Sequence, residues 1–62
     1  MTWAEIERML RKTPKCKFIG FSGGHAWWVN TETGARIKVS CHSSQEVPKN
    51  IEVRIKKLAG LN

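Results

Sequence analysis

The chain contains no aspartate; its five acidic residues are all glutamates, scattered along 62 positions. Paired-carboxylate hydrolysis and a Ser-His-Asp triad therefore lack their acid, although Ser22 lies close to His25 in sequence. Two histidines and two cysteines fall into neither a Cys-x-x-Cys nor a paired-His spacing, so no metal and no cofactor is expected. Cys41 and His42 are neighbours and on a strand would point to opposite sides. Cys41 would serve as a nucleophile only with His25 or His42 beside it in space. Two cysteines are also too few for the disulfide framework of a small secreted scaffold. No apolar run approaches the ~20 residues that cross a bilayer, and no signal-peptide pattern precedes Trp3. The expectation is a reduced, cytoplasmic protein without a membrane partner.

What is abundant is positive charge. Eleven Lys and Arg against five Glu leave a net charge of +6. On a single small domain this suits a polyanion, and with no long apolar run the candidate is nucleic acid rather than a membrane span. The plain alternative is a basic surface kept for solubility.

The pattern along the chain predicts α-β-β-β-α. Thr2 and Glu5 fit a capping box, and Trp3, Ile6, Met9 and Leu10 recur at helical spacing up to Thr13-Pro14, which stops the helix. A strand over 15–21 carries Phe18, Ile19 and Phe21. A second strand spans 25–30, and Asn30 to Gly34 is turn chemistry. Ala35 to Ser40 alternates, with Ala35, Ile37 and Val39 inward and Arg36 and Lys38 outward. The segment 41–49 reads as a loop. A second helix follows, with Asn50 as N-cap, Ile51, Ile55, Leu58 and Ala59 as its stripe, and Gly60 at its end. The predicted architecture is an α+β two-layer sandwich with both helices on the apolar face of the sheet. Trp3, Ile6, Leu10, Phe18, Trp28, Ile37, Val39, Ile55 and Leu58 are the expected core.

The chain is organised around Phe21-Ser22-Gly23-Gly24-His25-Ala26-Trp27-Trp28-Val29. Gly23-Gly24 between two apolar runs predicts a tight hairpin whose positive φ angles suit glycine, with backbone room for a phosphate. Strand period puts His25 and Trp27 on one face and Ala26 and Trp28 on the other. Trp28 then anchors the core, while Trp27 shares a wet, cationic face with His25, Arg36 and Lys38, and Lys17 is a further cation for it. RNA supplies its own nucleophile, the 2′-OH. One histidine to move a proton and cations to stabilise the phosphorane are thus a sufficient kit.

The run Gly23-Gly24-His25-Ala26-Trp27-Trp28 resembles the Gly-Ser-His-His-x-Phe/Trp signature of HicA-type mRNA interferase toxins. The similarity extends through Arg36 to His42, like that family's Val-Pro-x-His strand end, and through Val47-Pro48 to Leu58-Ala59-Gly60-Leu61, like its closing Ala-Gly-Leu. The resemblance implies a double-stranded-RNA-binding-domain-like fold, metal-independent cleavage of mRNA and neutralisation by a HicB-like antitoxin in a type II toxin–antitoxin system. It implies His25 as the catalytic residue and Gly23 as the glycine before it. Gly24 stands where the family has serine, and Ala26 where it often has a second histidine. Two alternatives stay open: a non-catalytic RNA-binding module of the same fold, and a small basic regulatory protein that binds an acidic partner protein.

Overall fold

The computed structural model describes residues 1–61. Helix α1 spans Trp3–Arg11, strands β1, β2 and β3 span Cys16–Ser22, His25–Asn30 and Arg36–Ser40, and helix α2 spans Lys49–Leu58. The strands form one antiparallel sheet in the order β1-β2-β3, so β1 and β3 are both edges. Buried residues of α1 (Ile6, Leu10), of α2 (Ile55) and just past it (Ala59) meet Ala26, Trp28, Ile37 and Val39 in a single core. The two helices therefore cover one face of the sheet, and the opposite face stays open.

The first turn of α1 has no orphan donors. Thr2 caps it, with Glu5 N–H donating to Thr2 Oγ1 at 3.3 Å and Thr2 N–H donating to the Glu5 carboxylate at 2.7 Å. Trp3 N–H and Ala4 N–H donate to the carbonyls of Gln45 and Ser43, both at 3.1 Å. The 41–47 stretch, expected as a loop, is thus docked against the start of α1. Val47 N–H bonds Met1 carbonyl, a short bridge pairs Thr2 with Glu46, and Val47 is buried.

Helix α2 starts two residues earlier than expected: its N-cap is Pro48, not Asn50. Proline arrives with its φ already set, here −56°, and its carbonyl accepts from both Ile51 and Glu52 N–H. At the other end Gly60 has φ +75°, with Leu61 N–H bonded to Lys56 carbonyl and Gly60 N–H to Lys57 carbonyl. These two bonds make the Schellman motif expected of a glycine after a helix.

Phe18 is not core. It is 48% exposed and Phe21 72% exposed, although both face the helix layer, because α1 packs on β1 where the buried Cys16 begins it and leaves the Phe18–Phe21 end of the strand uncovered. Phe18 meets the rings of Trp28 and Phe21 edge-on, at 5.5 Å and 5.2 Å between centroids. A bulge at Ile19 places Phe18 and Phe21 on the same face, which strict alternation forbids. Trp3 and Leu58 pack only partly buried against the core, whereas Cys16, Ala26, Val47 and Ala59 belong to it. Burial raises the pKa of the Cys16 thiol. Among the described residues, no helix is long and apolar enough to cross a membrane.

Candidate nucleic-acid interface and histidine site

Gly23 and Gly24 have φ of +59° and +77°, the conformation of a two-residue type I′ hairpin. The turn sets the register of everything after it. Directly opposed residues share a face, so the open face carries three rows: Ser22, His25 and Ser40; Gly20, Trp27 and Lys38; Lys17, Val29 and Arg36. His25, Trp27, Arg36, Lys38 and Lys17 therefore lie together on one side, and Ala26 and Trp28 on the other. Within that face the distances differ. Lys38 is diagonal to His25, about 7–8 Å away across the sheet. Arg36 and Lys17 sit two rows off, about 13 Å along the strand direction, so they line the face rather than the histidine.

His25 is half-buried, and its Nδ1 lies 3.0 Å from the Gly23 carbonyl. A carbonyl oxygen only accepts, so Nδ1 carries the proton of this bond and Nε2 keeps the lone pair of the neutral ring. The hairpin thus orients the imidazole and selects its tautomer. The two groups that flank it across the sheet, Ser22 and Ser40, follow from strand register and were not legible as site residues. Ser40 Oγ accepts from His42 N–H at 3.2 Å, so β3 ends in a tight turn at the same lip as His25.

Ala26 is only 5% exposed and faces the core, so a larger residue there would point away from His25. A side chain at position 26 therefore contributes nothing to the open face. At Gly24 an added Cβ would meet no atom within 4 Å, so the space beside the turn is open.

Trp27 Nε1–H donates to the Ser22 carbonyl at 3.1 Å, which holds the indole in place with its polar edge satisfied. Trp28 differs: its indole N–H is buried with no hydrogen-bond partner among the described residues.

Electrostatics separate the two sides of the protein. Glu5 is bound in the cap, and Glu7, Glu32, Glu46 and Glu52 pair with Arg11, Lys15, the Met1 amino group and Lys56. None of the five lies on the open face. Lys17, Arg36 and Lys38 make no ion pair among the described residues. No three His, Cys, Asp or Glu side chains come together there either. The arrangement offers one oriented imidazole and one half-buried indole on a face whose charges, among the described residues, are all positive. Comparison with protein families, curated proteins and solved structures finds no match for the chain.

Proposed function

We propose that the protein is a metal-independent endoribonuclease that cuts mRNA, with His25 as its single catalytic histidine. The observation that supports this best is the hydrogen bond from His25 Nδ1 to Gly23, which leaves Nε2 as the free base on the cationic face. In this mechanism Nε2 takes the proton of the ribose 2′-OH. The 2′-oxygen attacks the adjacent phosphorus, the P–O5′ bond breaks, and the 5′-oxygen leaves with a proton returned by the imidazolium. Lys38 stabilises the charge that builds on the non-bridging oxygens. Gly23 and Gly24 let the ribose-phosphate approach the backbone. The role as toxin of a type II pair, the HicB-like antitoxin and the cytoplasmic setting rest on the resemblance to HicA-type toxins.

One observation favours a second reading, an RNA-binding module without catalysis: the positions flanking His25 are serines, so no second titratable side chain shares its row. A single experiment separates the two. Purified parent and His25→Ala are incubated with a defined RNA in EDTA, with melting curves alongside. The parent should leave 2′,3′-cyclic phosphate and 5′-hydroxyl ends. His25→Ala should be slower by about 10²–10⁴-fold at an unchanged melting midpoint, and its expression should no longer arrest growth. Equal cleavage by both removes His25 from the mechanism, and cleavage by neither leaves the binding module.

A further inference from the structure

We infer that Trp27, Arg36, Lys38 and the α2 residue Arg54 form a nucleotide subsite that holds an unpaired base and its phosphate, which makes the substrate single-stranded RNA. The inference deepens the nuclease reading and rests on it.

Two cavities adjoin Trp27. One, of 250 Å³, opens toward β1 and is lined by Ile19, Gly20, Phe21, Ser22 and Arg36 together with the indole. The other, of 290 Å³, is lined by Trp27, Arg36, Ile37, Lys38 and Arg54 among others. Ile37 points into the core, while its neighbours Arg36 and Lys38 point to the open face. A cavity that touches all three runs along the free edge of β3. Helix α2 packs at that edge through Ile51, Ile55 and Leu58, and Arg54 lies between them in sequence. Three cations from two elements thus line one cavity with one aromatic. Among the described residues none of the three makes an ion pair, and no glutamate lines either cavity.

The aromatic decides which form of RNA fits. In a duplex the bases stack on one another and show only their edges, so an indole gains nothing from them. The Trp27 N–H is already bound to Ser22, so its remaining offer is a π face, which an unpaired base can cover. Both cavities are near the lower end of ligand-pocket volumes, about 300 Å³, the scale of one nucleotide rather than a groove. Trp27 follows His25 by about 7 Å on the same face, a distance that one extended nucleotide spans. The base next to the reacting phosphate would stack on Trp27, and its outer phosphate would sit between Arg36, Lys38 and Arg54.

The test uses a 2′-O-methyl RNA oligonucleotide, which lacks the free 2′-OH and cannot be cut, as a single strand and as its blunt duplex. Binding is followed by fluorescence anisotropy for the parent, Trp27→Leu, Trp27→Phe and Arg54→Gln, each checked by melting curve. The parent should prefer the single strand by at least about 10-fold. Trp27→Leu should weaken single-strand binding by about 10- to 100-fold, and Trp27→Phe should keep most of it, because both retain bulk but only Phe stacks. Arg54→Gln should reduce the salt slope of log affinity by roughly 0.7, one phosphate on a single strand. Equal affinity for the duplex, equal behaviour of Trp27→Leu and Trp27→Phe, or no binding by the parent would each overturn the subsite. Because the probe is never cut, such a failure leaves His25-dependent cleavage standing. Binding as expected with no cleavage of ordinary RNA would instead remove the nuclease reading and keep the subsite.

Discussion

Gly24 occupies a position where chirality matters: at φ +77° a Cβ costs about 1 kcal/mol, although no neighbouring atom obstructs it. Gly24→Ala should therefore lower stability by about 1 kcal/mol in a urea melt. Gly23→Asn should be nearly silent, since asparagine suits the first central position of a type I′ turn. If Gly24→Ala melts like the parent, the turn is not the I′ form. Trp28 sets the other extreme. It is 4% exposed, at the centre of the core. Trp28→Ala should cost about 3–5 kcal/mol, comparable with the whole stability of a domain this small, and the variant should show no cooperative thermal transition. The facing of His25, Trp27 and Trp28 was legible because β2 runs without a bulge, so period two holds from end to end. It failed for the Phe18–Phe21 pair because the Ile19 bulge resets the period. The exposure of Phe18 has another cause, the width of the helix layer, which no local pattern encodes.

The start of α1 is the element whose cause is most local, and its chemistry predicts a pH effect. Hydrogen bonds from the Thr2 backbone and then its hydroxyl hold the Glu5 carboxyl below the usual glutamate range. Glu52 is lowered too, chiefly by the hydrogen bond from Lys56. A carboxylate whose folded pKa is depressed adds stability that is present above the ordinary glutamate pKa, roughly 4.3, and is lost as pH falls through the lowered value. Glu5→Gln should therefore melt below the parent at neutral pH, and the gap should close as the buffer is taken below the glutamate range. A gap that is constant with pH would mean the cap works through its shape alone. Thr2→Ala, which removes the hydroxyl cap, should cost about 0.5–2 kcal/mol. The capping box was visible because it is written in side chains three residues apart. The docking of 41–47 on α1 was not, because its bonds from Trp3 and Ala4 to Ser43 and Gln45 are backbone to backbone and carry no residue signature. The start of α2 at Lys49 was misplaced for a related reason: Asn50 looks like a cap, but Pro48 needs no side-chain bond to begin a helix.

At the scale of the whole molecule the net charge of +6 is a composition fact, and the fold turns it into a direction. The five glutamates are spent on the helices, the termini of loops and the Met1 amino group, so the open face of the sheet keeps its cations unneutralised among the described residues. Alternation in β3 already pointed Arg36 and Lys38 outward; the pairing of the acids elsewhere is tertiary and had no sequence signal, and neither did the approach of Arg54 to the edge of β3. This distinction can be measured against net charge itself. Arg36→Gln with Lys38→Gln takes the charge from +6 to +4, and so does Arg8→Gln with Arg11→Gln on α1, where Arg11 is already paired with Glu7. If RNA lies on the open face, the first pair should flatten the salt dependence of log affinity for a single strand by about 1.4, two phosphates at roughly 0.7 each. The α1 pair should leave the slope nearly unchanged, because charges farther away than the Debye length of about 8–10 Å are screened. Both variants should melt near the parent, since all four side chains are exposed. Equal flattening by the two would show that the protein attracts RNA by total charge with no preferred face, and the assignment of the open sheet as the binding surface would fall.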